Sequence, residues 1–89
     1  MAGKKIVSIV TITLIGRAGC HLCEAAHEVI HQVIGPEDRF TEISLLDNPE
    51  LMAKYSEDIP VVLINGQIHD FLRIDPIRLR TALANARAS

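Results

Sequence analysis

A β-to-α handover around Gly16–Cys23 constrains this chain more than any other stretch. Upstream, Ile6 to Ile15 is dense in Ile, Val and Thr, the β-branched residues that suit a strand. Downstream, Leu22, Ala25, Ala26, Val29, Ile30, Val33 and Ile34 recur at intervals of three and four, which makes one apolar face of a helix. The only two cysteines, Cys20 and Cys23, lie on this seam with Cys-x-x-Cys spacing. Gly16 and Gly19 allow the chain to turn tightly, so Cys20 is expected at the first turn of the helix.

That position decides the chemistry. A helix N-terminus presents unpaired N–H groups and about half a positive charge, which favours an anion there. A thiolate is such an anion, so the Cys20 thiol is expected to ionise below its free value of about 8.5. Arg17 adds a cation on the same side, either solvated or available to substrate. Cys23 follows one turn later and faces partly inward. Cys20 is therefore expected to attack and Cys23 to resolve. His21 has two readings: an imidazolium that favours the thiolate and makes the pair more oxidising, or an exposed first-turn residue without effect. Asp58, if close, would oppose ionisation.

A chain of 89 residues has room for one domain, 1–89, with one modest core. A hydrophobic share of 48% argues against disorder. The net charge of −2, without a basic run, offers no surface for nucleic acid or membrane. A lone Cys-x-x-Cys near a βα junction reads as a redox motif in a reducing compartment, so a cytoplasmic location is expected. Lys4, Lys5 and the apolar run before Cys20 superficially resemble a secretory or lipoprotein leader. Ser8, Thr11 and Thr13 interrupt that run, Arg17 stands where an aliphatic residue would be needed, and the helix requires the run as a strand to pack against.

Residues 1 to 4 carry no pattern. Strand one is expected within Lys5 to Ile15 and helix one from about Cys20 to Ile34, stopped by Gly35-Pro36. Phe40 to Leu46 alternates as a second strand. Asn48 and Pro49 cap and open a short helix holding Leu51, Met52 and Tyr55 and ending near Ser56. Pro60 to Ile64 is an apolar strand, Asn65-Gly66 a hairpin turn, and Gln67 to Leu72 the return strand. Asp75-Pro76 opens a last helix with Ile77, Leu79, Ala82, Leu83 and Ala86 on its apolar face. The order β-α-β-α-β-β-α predicts a four-stranded mixed sheet, with a right-handed crossover between its parallel strands and helices on both faces.

With Gly19-Cys20-His21-Leu22-Cys23 after strand one and Asp58-Ile59-Pro60-Val61-Val62 before the hairpin, the chain resembles glutaredoxin-like proteins of the thioredoxin superfamily along almost its whole length. The resemblance implies a thioredoxin-like α/β fold and a cis peptide at Ile59-Pro60 facing the cysteines. It also implies an Ile59 backbone that pairs with a disulfide-bearing chain or glutathione. On this basis Cys20 and Cys23 are the expected catalytic residues. Arg17, His21, Leu22, Ile59 and Pro60 are the expected substrate-binding residues. Two departures stand out. His21-Leu22 replaces the usual Pro-Tyr, and Phe71 to Pro76 lacks the Gly-Gly-acidic signature that helps hold glutathione. Asp75 as a cap would compete there with a glutathione carboxylate.

The implied activity is thiol–disulfide oxidoreduction on protein or glutathione mixed disulfides by a monomer. No tightly bound cofactor is expected, and the electron donor is glutathione or a thioredoxin reductase. The alternative is an iron–sulfur or metal carrier, or an adaptor, on the same fold. A single zinc held by Cys20, Cys23, His27 and His31 fails on geometry, because Cys23 to His31 spans roughly 12 Å of helix at 1.5 Å per residue. His27 and His31 are expected on the polar side of helix one, and no metal ligands are assigned. Tyr55 and Met52 are expected at the core or its edge, and nothing marks His69 as functional.

Overall fold

The computed structural model describes residues 9–88. The expected start of strand one at Lys5 and the pattern-free residues 1 to 4 lie outside them. Strand β1 spans Thr11–Gly16. Val10 extends its ladder by one bond, its carbonyl accepting the Arg39 N–H at 2.8 Å. Helix α1 runs from His21 to Val33, and the chain returns through β2, Arg39–Ser44. β1 and β2 pair in parallel, Thr11 opposite Arg39 and Gly16 opposite Ser44.

β2 stops two residues short of the expected Leu46. Leu45–Asp47 instead folds into a 3-10 turn in which the Ser44 hydroxyl accepts the Leu46 N–H at 3.2 Å. The turn buries Leu45 and leaves Leu46 61% exposed, so the core takes one leucine where strand alternation would also have delivered only one. Helix α2, Pro49–Tyr55, follows with Asn48 as its N-cap, the Asn48 Oδ1 accepting from Leu51 N at 3.1 Å. Met52 lies outside the core while Tyr55 enters it.

β3 is Val61–Ile64 and β4 is Gln67–Phe71. Asn65 and Gly66 both have positive φ, 53° and 84°, as a type I′ hairpin requires. Asn65 also ties the turn to β1 through two bonds with Thr11, at 2.9 and 2.8 Å. The β3–β4 register slips between Val62 and Leu63, so His69 has no partner on β3 and forms a bulge. The sheet order is β2-β1-β3-β4, with β1–β3 and β3–β4 antiparallel.

Helix α3, Pro76–Ala88, starts as expected, with the Asp75 Oδ2 accepting from Arg78 N at 2.8 Å. Leu79 and Leu83 bury, but Ile77 turns 67% outward, because the contact with α1 and the sheet covers only a narrow stripe of α3. Val10, Ile12, Leu14, Ala26, Ile30, Val62, Leu79 and Leu83 form one core cluster. Ile15, Cys23, Leu45, Tyr55, Ile59 and Val61 form a second. Among the described residues no helix is long and apolar enough to cross a membrane.

Candidate active site

The second cluster contains the cysteines. Cys20 is the N-cap of α1, with extended backbone (φ −103°, ψ 113°). Its carbonyl accepts the Glu24 N–H at 3.0 Å, which closes the first helical turn. Its Sγ accepts the N–H of Cys23 at 3.1 Å. An N-cap side chain ordinarily uses oxygen for this bond. Here sulfur takes the position, so an unpaired helix donor points at the atom that would carry thiolate charge.

Cys20 and Cys23 are joined as a disulfide, with Cα atoms 5.2 Å apart, well inside the range that the bond requires. Cys20 is half-buried and Cys23 only 7% exposed. The outer sulfur is therefore the accessible one, and Cys23 belongs to the core cluster of Ile15, Leu45, Tyr55, Ile59 and Val61.

Gly16 has a different role from the turning freedom expected of it. It lies inside β1, and a Cβ there would meet the Cys23 Sγ at 2.9 Å. Only a residue without a side chain lets the inner cysteine sit this close to the strand. Gly19, at φ +79°, supplies the turn by itself.

The other expected residues divide. The Ile59–Pro60 peptide is cis, and Ile59 joins both cysteines in the same apolar cluster. The Pro60 carbonyl accepts the Leu72 N–H at 2.8 Å, which anchors this loop to the end of β4. Leu72 itself has φ 67°, a conformation seldom adopted by a leucine. Leu22 is half-buried. Arg17 is exposed and lines a groove beside Cys23. The His21 side chain is 100% exposed and its nearest charged partner is Glu24, Nδ1 to Oε1 at 3.9 Å. Asp58 is held in a turn by its N–H to the Tyr55 carbonyl at 2.8 Å.

The sequence left one neighbouring feature unassigned. A groove of about 740 Å³ runs from the Gly16–Gly19 loop and Cys23 along α1 to Glu42, Ile43 and Ser44 of β2. Glu24, Glu28, Glu42 and Asp47 line it, and so does Arg17. His27 also lines it, half-buried rather than simply on the polar side of the helix. The signal that could have located this groove is the i, i+4 spacing of His27 and His31, set against the parallel register that brings Glu42 alongside.

A cysteine-capped helix after a parallel strand, facing a cis-proline loop on a β2-β1-β3-β4 sheet, defines a thioredoxin-superfamily protein. Residues 11–84 match the family model described as glutaredoxin-like domain (DUF836). This chain belongs to that glutaredoxin-like family. A glutaredoxin-like protein of Dictyostelium discoideum is 32% identical over 77 residues, covering 79% of this chain and 71% of the relative. A protein of Mycobacterium tuberculosis is 28% identical over 81 residues and 84% of each chain. Among solved structures, a structural-genomics target protein from X. campestris superposes with TM-score 0.71 at 28% identity, over 83% of this chain and 96% of that one. Chloroplastic thioredoxin z superposes with TM-score 0.72 at 14% identity, over 92% and 81%, a likeness of fold.

Proposed function

We propose that this protein is a dithiol disulfide oxidoreductase that reduces protein or glutathione mixed disulfides through Cys20 and Cys23. The observation that carries this reading is the Cys20 sulfur in the N-cap position, accepting the Cys23 N–H at 3.1 Å. In the reduced protein the same donor would stabilise a thiolate, which is the reactive form. The Cys20 thiolate attacks one sulfur of the substrate disulfide. The other substrate sulfur leaves as a thiolate and takes a proton from water. The Cys23 thiol then loses its proton and attacks the Cys20 sulfur of the mixed disulfide. The second substrate thiolate departs and the Cys20–Cys23 disulfide remains, two electrons having passed to the substrate.

The exposed Arg17 and His21 and the half-buried Leu22 are the side chains against which the substrate would rest, while Ile59 and Pro60, both buried, would offer only their backbone to it. Protein disulfides are the favoured class. At the start of α3 the Asp75 carboxylate already takes the Arg78 N–H, a donor that a glutathione carboxylate would need there. Electrons would then come from a thioredoxin reductase, with glutathione the weaker donor, in a reducing compartment such as the cytoplasm.

Alkylation of the reduced protein across pH tests the central claim. Cys20 should titrate below the free-cysteine value of about 8.5 and react faster than Cys23 near neutrality. Two thiols that both titrate at or above that value would refute the reading. Comparing turnover with thioredoxin reductase and with glutathione plus its reductase identifies the donor.

A further inference from the structure

On α1, His27 and His31 turn their imidazoles toward each other, Nε2 to Nε2 at 3.3 Å. Two zinc–nitrogen bonds of about 2.0–2.1 Å at a tetrahedral angle put their nitrogens about 3.3–3.4 Å apart. The observed spacing therefore suits two ligands on one ion as well as it suits an N–H···N hydrogen bond. Both rings also stand edge-on to Phe40 of β2, with centroids 5.5 and 5.2 Å away, so their orientation is held by packing as well as by each other. The Glu42 Oε1 lies 3.9 Å from His27 Nε2. The segment reads His27-Glu28-Val29-Ile30-His31, the helical His-Glu-x-x-His spacing whose two histidines share a face and suit zinc.

We propose that His27 and His31 chelate a transition-metal dication of the zinc or copper class next to the acidic groove that His27 lines. Among the described residues no group of three or more His, Cys, Asp or Glu is already placed to hold an ion. The protein accordingly supplies two nitrogens, and solvent completes the shell. Glu42, whose Oε1 lies 3.9 Å from His27 Nε2, is the candidate third ligand. Imidazole nitrogens select zinc and copper over magnesium and calcium, and Glu24, Glu28 and Glu42 along the groove favour a cation over an anion. The alternative role of the pair is an N–H···N hydrogen bond with no ion, and it predicts no metal affinity.

The test uses the oxidised protein, in which the disulfide removes both thiolates as ligands, so its result is independent of the redox reading. Calorimetric titration with zinc sulfate should give one ion per chain. His27→Gln and His31→Gln should each weaken binding at least tenfold, and Glu42→Gln by severalfold. Copper should bind more tightly than zinc, following the general order of divalent-metal affinities. In the unaltered protein, zinc should shift the NMR signals of both imidazoles together, a readout that does not depend on how the variants fold. Zinc binding weaker than about 1 mM, or binding that survives both histidine substitutions, would overturn the proposal.

Discussion

The two faces of the sheet are covered unequally, and the difference separates stability from chemistry. On one face α1 and α3, 13 residues each, close over Ile12, Leu14, Ile30, Val62, Leu79 and Leu83, all essentially without solvent contact. Near the other, a helix of 7 residues and a 3-10 turn of 3 cover Ile15, Leu45 and Val61. Cys23, Tyr55 and Ile59 keep a little exposure at its edge. The thick layer supplies the burial that holds a chain of this size together. The thin one leaves the Cys20 sulfur within reach of a substrate, with Cys23 buried behind it, on a helix that packs into the thick layer.

Substituting Cys20 with serine gives the largest expected effect. It should reduce disulfide turnover by about a thousandfold or more, as loss of a covalent nucleophile does, with the thermal midpoint of the reduced protein nearly unchanged. Cys23→Ser should instead accumulate a mixed disulfide with substrate, visible by mass spectrometry. The comparison breaks if Cys20→Ser unfolds the protein.

Ile30→Ala probes the thick layer. It should cost about 2–5 kcal/mol in chemical denaturation while the remaining folded molecules keep the reactivity of Cys20. Asp38→Asn should cost about 2–3 kcal/mol. Its side chain is 3% exposed, bonds Arg87 of α3 and accepts the Gly35 N–H at 2.7 Å. The full cost of breaking a buried pair is reduced here because the Arg87 side chain is 37% exposed.

Gly16→Ala sharpens the boundary between the layers. Its Cβ would press on the Cys23 sulfur, so a cost of about 1–3 kcal/mol is expected. The rate of Cys23 resolution should fall more than the rate of Cys20 attack in stopped-flow measurements.

Acid should weaken the thick layer in two smaller steps. Burial favours neutral His69, lowering its pKa from the ordinary 6.5. The unfolded chain then binds this proton more readily, and the contribution present above pH 6.5 is lost as pH falls through the lowered value. The Arg87 hydrogen bond holds the Asp38 carboxyl below the usual 3.8. Its contribution is complete above that value and disappears as pH falls through the depressed one. Denaturation midpoints between pH 8 and pH 3 should decline in both windows, and Asp38→Asn should remove the lower one.

Elements governed by local chemistry could be read directly from the residues. Asn48-Pro49 and Asp75-Pro76 open helices because a short acceptor followed by a missing N–H suits a first turn anywhere. Asn65-Gly66 turns because both residues tolerate positive φ. Cys20 could be placed at a helix start by the same reasoning, as could the parallel pairing of the first two strands through the helix that joins them, whereas the place of β3 beside β1 came from the structure.

What required the tertiary structure was every feature created by elements distant in sequence. Leu46 and Ile77 look apolar in any local window, yet are largely exposed. The need for glycine at position 16 comes from Cys23 on the next element. The His27–His31 pair meets Phe40 and Glu42 only because β2 lies parallel to β1. Local periodicity specifies which side of an element is apolar; which part of that side is covered depends on how strands and helices of unequal length are laid against each other.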